Sequence, residues 1–164
     1  MTKRLFALIL TLLALGGCSD KNEIVQLLTP DRLYEKALLY TREDQIVEGL
    51  ETKAAVSATL LNELFPDRYP YQEGVFFFVG IVTQLGVEDF KKNYHIILNG
   101  KEPLTITPVS TTDDLYKMMP NVNRWGRYFV VKFPKTSAKR FTLDFGVYPY
   151  GSVVLTFAKA TPRR

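Results

Sequence analysis

Apolar and polar residues alternate along the last part of the chain, which is the pattern of strands with one buried face. The pattern covers segments 128–133, 141–147 and 152–158. The residues that share a face are Phe129, Val131 and Phe133 in the first segment, Phe141, Leu143, Phe145 and Val147 in the second, and Val153, Leu155 and Phe157 in the third. Pro149-Tyr150-Gly151 lies between the last two segments and predicts a turn that joins them in a hairpin.

Three further strands are predicted in the middle of the chain. The continuous apolar run 75–82 is typical of a central strand covered on both faces. Residues 94–98 predict a strand, and Asn99-Gly100 after it suits a tight hairpin turn with two positive φ angles. We therefore expect residues 104–106 to return beside it. Because Pro103 has no N–H to donate, this return strand should begin at a sheet edge.

The residues between about 29 and 65 have a mixed pattern. Thr29-Pro30-Asp31 has the features of a helix start, and the apolar spacing that follows predicts a helix from 30 to about 41. Residues 51–65 alternate like a half-buried strand, although their Ala and Leu content also fits a helix that ends at Pro66. We favour the strand because the alternation is sustained. A single helical turn is expected at 113–119.

About seven short strands with polar turns predict a mainly β fold. We expect an antiparallel β-sandwich with a short N-terminal helix, with the immunoglobulin-like arrangement as the first hypothesis and a small β-barrel as the alternative. The disulfide of antibody domains is absent, since the chain has one cysteine. Trp125 lies at a strand entrance and is not clearly a core residue.

The start of the chain has the pattern of an export signal. Lys3 and Arg4 form a positive head, an apolar run follows at 5–15, and Leu15-Gly16-Gly17-Cys18 ends the segment with small residues before the only cysteine. The run is shorter than the roughly 20 residues of a transmembrane helix. The segment resembles a bacterial lipoprotein signal peptide with its lipobox. An uncleaved anchor helix, or a signal peptide with a chance cysteine, is the alternative.

The lipoprotein resemblance implies a membrane-anchored envelope protein. It implies cleavage after Gly17 and a covalent lipid on Cys18, and two or three acyl chains anchor a protein stably. Ser19, by the same resemblance, implies the outer membrane rather than the inner membrane. The expected organisation is a signal peptide at 1–17, a lipidated cysteine and tether at 18–28, and one mainly β domain at 29–160.

Charge and composition narrow the function classes. The formal net charge is +4, and Lys3 and Arg4 account for two of those charges and leave with the signal. The remaining charge is too small and too scattered to indicate nucleic-acid binding. A hydrophobic content of 46% and an aromatic content of 13% are typical of folded domains.

The sequence offers little catalytic chemistry. His95 is the only histidine and the only thiol is assigned to lipid, so neither a cysteine–histidine pair nor a histidine-rich metal site is expected. No Gly-x-Ser-x-Gly motif supplies a serine nucleophile. Asp113-Asp114 fits a helix N-cap better than a calcium site. We therefore predict a protein that is not an enzyme and has no cofactor or metal apart from the lipid. We place His95 on the solvent side of its strand or at a loosely packed rim.

Aromatic residues in predicted loops provide the candidate binding surface. Trp125 lies between Arg124 and Arg127, a combination of residue types enriched at binding hot spots. Tyr148 and Tyr150 flank the last turn. Two functions follow as hypotheses: binding of another envelope protein as a structural or assembly accessory, and binding of a glycan or small ligand. A concave pocket lined by these aromatics would favour the ligand. An exposed strand edge near 104–106 would favour a protein partner.

Overall fold

The fold is described by a computed structural model that covers residues 32–83 and 93–160. The predicted signal peptide, Cys18, the predicted tether and the start of the predicted N-terminal helix lie outside the described residues. Eight strands and three helices are described. They are α1 at 32–39, β1 Thr41–Glu48, β2 Glu51–Leu60, α2 Leu61–Leu64, β3 Val75–Thr83, β4 Tyr94–Leu98, β5 Thr105–Val109, α3 Asp114–Met118, β6 Arg127–Phe133, β7 Arg140–Val147 and β8 Gly151–Ala158.

The strands form two antiparallel sheets. The first has the order β1-β2-β3-β6-β5 and the second has the order β4-β7-β8. If β2 to β8 are lettered A to G, these orders contain ABED and CFG, which is the strand arrangement of a constant-type immunoglobulin sandwich. Strand β1 is an addition at the edge beside β2. The predicted antiparallel sandwich is confirmed, and the described strands do not close into a barrel.

The core lies between the inner faces of the sheets. Phe77 of β3 is fully buried and meets Phe157 of β8 with ring centroids 4.9 Å apart, and it meets Phe133 of β6 edge-on at 6.1 Å. The predicted shared faces of β6 and β7 and most of that of β8 belong to this core. Truncation of such a ring to alanine costs about 3–5 kcal/mol in typical cores, so Phe77 is a principal contributor to stability.

A second apolar cluster covers part of the outer face of the five-stranded sheet. Phe76 and Phe78 point outward from β3 and pack with Ala37 of α1, Leu61 of α2 and Leu115 of α3. Strand β3 is therefore covered on both faces over this length, as the continuous apolar run predicted. Asp113 caps α3 by accepting a hydrogen bond from the Leu115 N–H at 2.8 Å, which confirms the cap expected there.

The predicted N-terminal helix is present but shorter, since it ends at residue 39 and Thr41 already begins β1. Strand β1 was not predicted from the sequence. Its residues are largely charged and only Thr41 and Ile46 are buried, so the strand has no regular alternation. Residues 51–60 form the favoured strand, and the ambiguous segment then continues as the short helix α2.

The predicted hairpin after β4 is wrong beyond its turn. Asn99 and Gly100 have φ angles of 48° and 78°, and Leu98 and Lys101 exchange two backbone hydrogen bonds of 2.9 Å. The chain then leaves β4, and the return strand β5 pairs with β6 in the other sheet. Pro103 explains the change because it cannot donate to a ladder beside β4. The expectation that β5 is an edge strand is confirmed.

Candidate binding sites at a sheet seam and on the outer face

The loop before β6 presents the predicted tryptophan to solvent. Asn123 Oδ1 accepts hydrogen bonds from the N–H groups of Trp125 and Gly126, both at 2.9 Å, and so fixes the turn. Trp125 is 71% exposed, and the Arg124 guanidinium lies 4.5 Å from its ring centroid. Arg127 is also exposed. Trp125 is therefore a surface residue and not a core tryptophan.

The other predicted aromatics lie on the hairpin turn between β7 and β8. Tyr148 is 77% exposed, whereas Tyr150 is half-buried with Lys53 Nζ 5.4 Å from its ring centroid. Tyr148 lines a shallow cleft of about 230 Å³ together with His95. Neither Trp125 nor Tyr148 lines either of the two larger clefts described below. The five predicted surface residues are thus placed at two separate positions.

The larger cleft is a groove between the two sheets at the edges of β4 and β5, here called the β4–β5 groove. Its volume is about 770 Å³, and it is lined by Tyr94, His95 and Ile96 on one side and by Glu102 to Thr107 on the other. Strands β4 and β5 each have a hydrogen-bonded neighbour on one side only among the described strands. Two sheet edges therefore face the same groove.

The backbone register shows which groups of β4 face the groove. Asn99 N–H donates to Thr142 O and Tyr148 N–H donates to Asn93 O, both at 2.9 Å. In an antiparallel ladder the residues that bond the neighbour alternate with those that face away from it, so the odd-numbered residues of β4 bond to β7. Leu98 faces away from β7 and bonds to Lys101 instead. By the same alternation, the N–H and C=O of Ile96 point into the β4–β5 groove.

The edge strands at this groove, β4 and β5, are uncharged, whereas the edge strand on the other side of the sandwich, β1, is charged. Strands β4 and β5 contain no Lys, Arg, Asp or Glu, whereas β1 contains Arg42, Glu43, Asp44 and Glu48. Charged residues on an edge strand hinder pairing with another chain. Strand β1 also contacts β8, with the Arg42 guanidinium 6.0 Å from the Phe157 ring centroid. Among the residues that the structure describes, the β1–β8 side is therefore covered and charged, and the β4–β5 side is open and uncharged along its strands.

A second cleft of about 640 Å³ lies on the outer face of the five-stranded sheet, here called the outer-face cleft. The register aligns Glu43, Ser57, Gly80 and Tyr128 in one row across four strands. Small residues in the middle of the row form a depression, and Asn121 closes one side by donating from Nδ2 to Glu43 Oε1 at 2.6 Å. Tyr128 is buried, and this burial raises the pKa of its hydroxyl.

The outer-face cleft was not predicted from the sequence. The sequence signal was a set of small residues, Ala55 and Ser57 on one strand and Gly80 on the neighbouring strand. Small residues on adjoining strands leave a depression. Their alignment required the β2–β3 register, which is not readable from one sequence.

His95 lies on the solvent side of β4, as predicted, with Nε2 3.3 Å from Asp144 Oδ1. Gly146 lies beneath the imidazole, and a Cβ at that position would overlap the ring. Within residues 32–83 and 93–160, no three His, Cys, Asp or Glu side chains come together as a metal site.

No helix among the described residues is both long enough and apolar enough to cross a bilayer. Comparison with known proteins gives no match to a family model, to a curated protein or to a solved structure.

Proposed function

We propose that this chain is a lipid-anchored bacterial envelope lipoprotein, not an enzyme, whose β-sandwich binds another envelope protein as a structural or assembly accessory. The anchor is Cys18, reached by cleavage after Gly17, and the lipobox resemblance supports it together with the outer membrane as the location. The observation that carries the protein-binding part is the β4–β5 groove, where two uncharged strand edges are exposed together.

Two features favour a protein partner over a small ligand at this groove. Exposed strand edges offer backbone hydrogen bonds to an extended polypeptide, which is a common mode of protein recognition. Leu104 lies at the groove and is 59% exposed, so an apolar side chain is available beside the edges. The loop aromatics do not converge on either larger cleft, which removes the main reason to prefer a glycan.

Photo-crosslinking in living cells tests the proposal. A photoreactive residue in place of Leu104 should capture one recurrent envelope protein from the lipidated full-length chain. The matched control is Val154 on β8, which is 54% exposed on the three-stranded sheet. Capture from position 104 and not from 154 is the expected result. Equal capture from both positions, or none from either, would overturn protein binding through this groove.

The anchor is tested separately by Cys18→Ala. The variant should either leave the membrane fraction or stay unprocessed, because the lipid acceptor and the cleavage site are both altered. Unchanged membrane extraction and unchanged mature mass would contradict the lipoprotein assignment. Cys18→Ser is the conservative companion variant and should give the same result, since the hydroxyl does not replace the lipidated thiol.

The outer-face cleft supports a second candidate, a module that binds an uncharged glycan or another small hydroxylated ligand. Its lining offers acceptors on Glu43 and Gln45 and donors on Asn121 and Asn123, and none of the described lining residues is cationic. Such polar groups on a concave surface suit a ligand with several hydroxyls. Thermal stabilisation by neutral oligosaccharides that is lost in Ser57→Leu, with the Thr156→Leu variant unchanged, would favour this candidate.

A further inference from the structure

We infer that the β4–β5 groove receives one extended strand from the partner protein, which pairs antiparallel with β4 and becomes the fourth strand of the three-stranded sheet. The inference rests on the proposed function and specifies how the partner binds. Three observations support it: the two sheets have different numbers of strands, the hairpin after β4 ends at Lys101, and the Ile96 N–H and C=O face the groove.

The two sheets differ in width on the side of the groove. Neighbouring strands lie about 4.8 Å apart, so a five-stranded sheet extends roughly 10 Å further than a three-stranded one. On the side of the sandwich away from the groove, the extra strand β1 is packed against β8. On the other side Ile106 of β5 packs against the inner core and also lines the groove. A fourth strand beside β4 would cover Ile106.

The chain itself begins this fourth strand and then leaves it. After the Asn99-Gly100 turn, Lys101 pairs with Leu98 in the position of a strand antiparallel to β4. Pro103 then directs the chain to β5 in the other sheet. Variable-type immunoglobulin domains place an additional strand, C′, at this position of the corresponding sheet. The position next to Ile96 is therefore a strand position that this chain leaves unfilled among its described residues.

The backbone of Ile96 provides the pairing groups. Its N–H and C=O both face the groove, so one residue of the incoming strand can exchange two hydrogen bonds with it. Glu102 is the only carboxylate among the described residues that line the groove, and it lies where the incoming strand would begin. The occupant is thus a short extended segment with an apolar residue facing Ile106, uncharged residues beside β4, and a basic rather than acidic residue at its amino-terminal end.

Two variants and one exchange measurement test this mode of binding in the full-length lipidated protein. Ile96→Pro removes an N–H that faces the groove and not one that bonds β7, and it also removes a buried core side chain. Ile96→Ala is its control, because it loses the same side chain and keeps the N–H. Thr107→Lys places a charge in the groove at an exposed position, and Thr156→Lys at an exposed position of β8 is its control. We expect each groove variant to reduce partner capture about tenfold or more, and each control to leave it unchanged.

Hydrogen exchange supplies a readout that needs no substitution. The Ile96 amide should exchange slowly in the purified crosslinked complex and rapidly in the free protein. If the wild-type protein captures a partner but Ile96 exchange and both groove variants are unaffected, strand addition is overturned and protein binding stands. If the wild-type protein captures nothing, the proposed function itself fails. Capture of a second copy of this chain would overturn the assignment to another protein.

Discussion

The ring of Tyr128 lies across Gly80 on the outer face of the five-stranded sheet. The two residues are register partners on β6 and β3, and a Cβ built on Gly80 would lie 2.7 Å from the Tyr128 ring and 2.7 Å from Ser57 Oγ. The absent side chain lets the ring stack on Phe78, with centroids 5.4 Å apart, and lets its hydroxyl accept from the Asn123 N–H at 2.8 Å. This pair therefore separates the apolar outer cluster from the open outer-face cleft.

Gly80→Ala should destabilise the fold by about 1–3 kcal/mol, because the added methyl group displaces the Tyr128 ring from a packed position. Urea unfolding measures the change. The same substitution in a Tyr128→Ala background should cost less, since the ring that it meets is gone and neighbouring substitutions are not additive. A full and additive cost in both backgrounds would show that the close approach of Tyr128 is not the cause.

Asn62 should be among the most sensitive polar positions. It is buried, its Nδ2 donates to Tyr69 O at 2.8 Å and to Gly74 O at 3.0 Å, and its Oδ1 accepts from the Phe76 N–H at 2.7 Å. Asn62→Ala leaves three buried backbone groups without a partner, so we expect a loss of about 2–4 kcal/mol in chemical unfolding.

Asn62→Asp distinguishes the hydrogen bonds from simple packing. A carboxylate has nearly the same shape as the amide but cannot donate to the two carbonyls. It should therefore destabilise about as much as alanine. The surface variant Asn121→Gly removes one exposed bond to Glu43 and should cost less than about 0.5 kcal/mol. Near-native stability of Asn62→Asp would contradict the assigned direction of these bonds.

The sequence predicted the strands whose side chains alternate cleanly, because burial on one face is recorded in every second residue. Strand β1 could not be predicted, because an edge strand with charged residues on both faces shows no alternation of apolar and polar residues. The prediction also failed after Asn99-Gly100, since the local turn was correct and the pairing of β5 was decided by a non-local contact with β6. The β4–β5 groove and the outer-face cleft depend on strands distant in sequence, so only the loop aromatics were visible as candidates.

Stability should decline in alkaline solution because of the half-buried Tyr71. The pKa of Tyr71 is raised above its ordinary value, first by burial and then by its hydrogen bond to Glu63 and the charge of that carboxylate. Because the pKa of Tyr71 is higher in the folded chain than in the unfolded chain, its contribution to stability is complete below the unfolded value near pH 10. That contribution is lost as pH rises above this value. Urea midpoints between about pH 9 and pH 11 should fall with pH.

Tyr71→Phe should make that fall shallower, because a group that ionises only in the unfolded chain has been removed. Glu63→Gln should retain most of the fall, since burial is the largest cause of the shift and persists in this variant. If Tyr71→Phe follows the wild-type profile throughout the alkaline range, Tyr71 is not responsible for the loss.

The two groups of exposed aromatics should contribute unequally to partner binding. His95 lines both the β4–β5 groove and the shallow cleft that Tyr148 lines, so a partner strand in the groove can extend to Tyr148. Trp125 lines neither of these clefts. We therefore expect Tyr148→Ala to weaken capture by a photoreactive residue at position 104, and Trp125→Ala to leave it nearly unchanged. Both rings are exposed, so each variant should keep its unfolding free energy within about 0.5 kcal/mol of wild type. The reverse order of capture would move the interface to the loop of Arg124, Trp125 and Arg127.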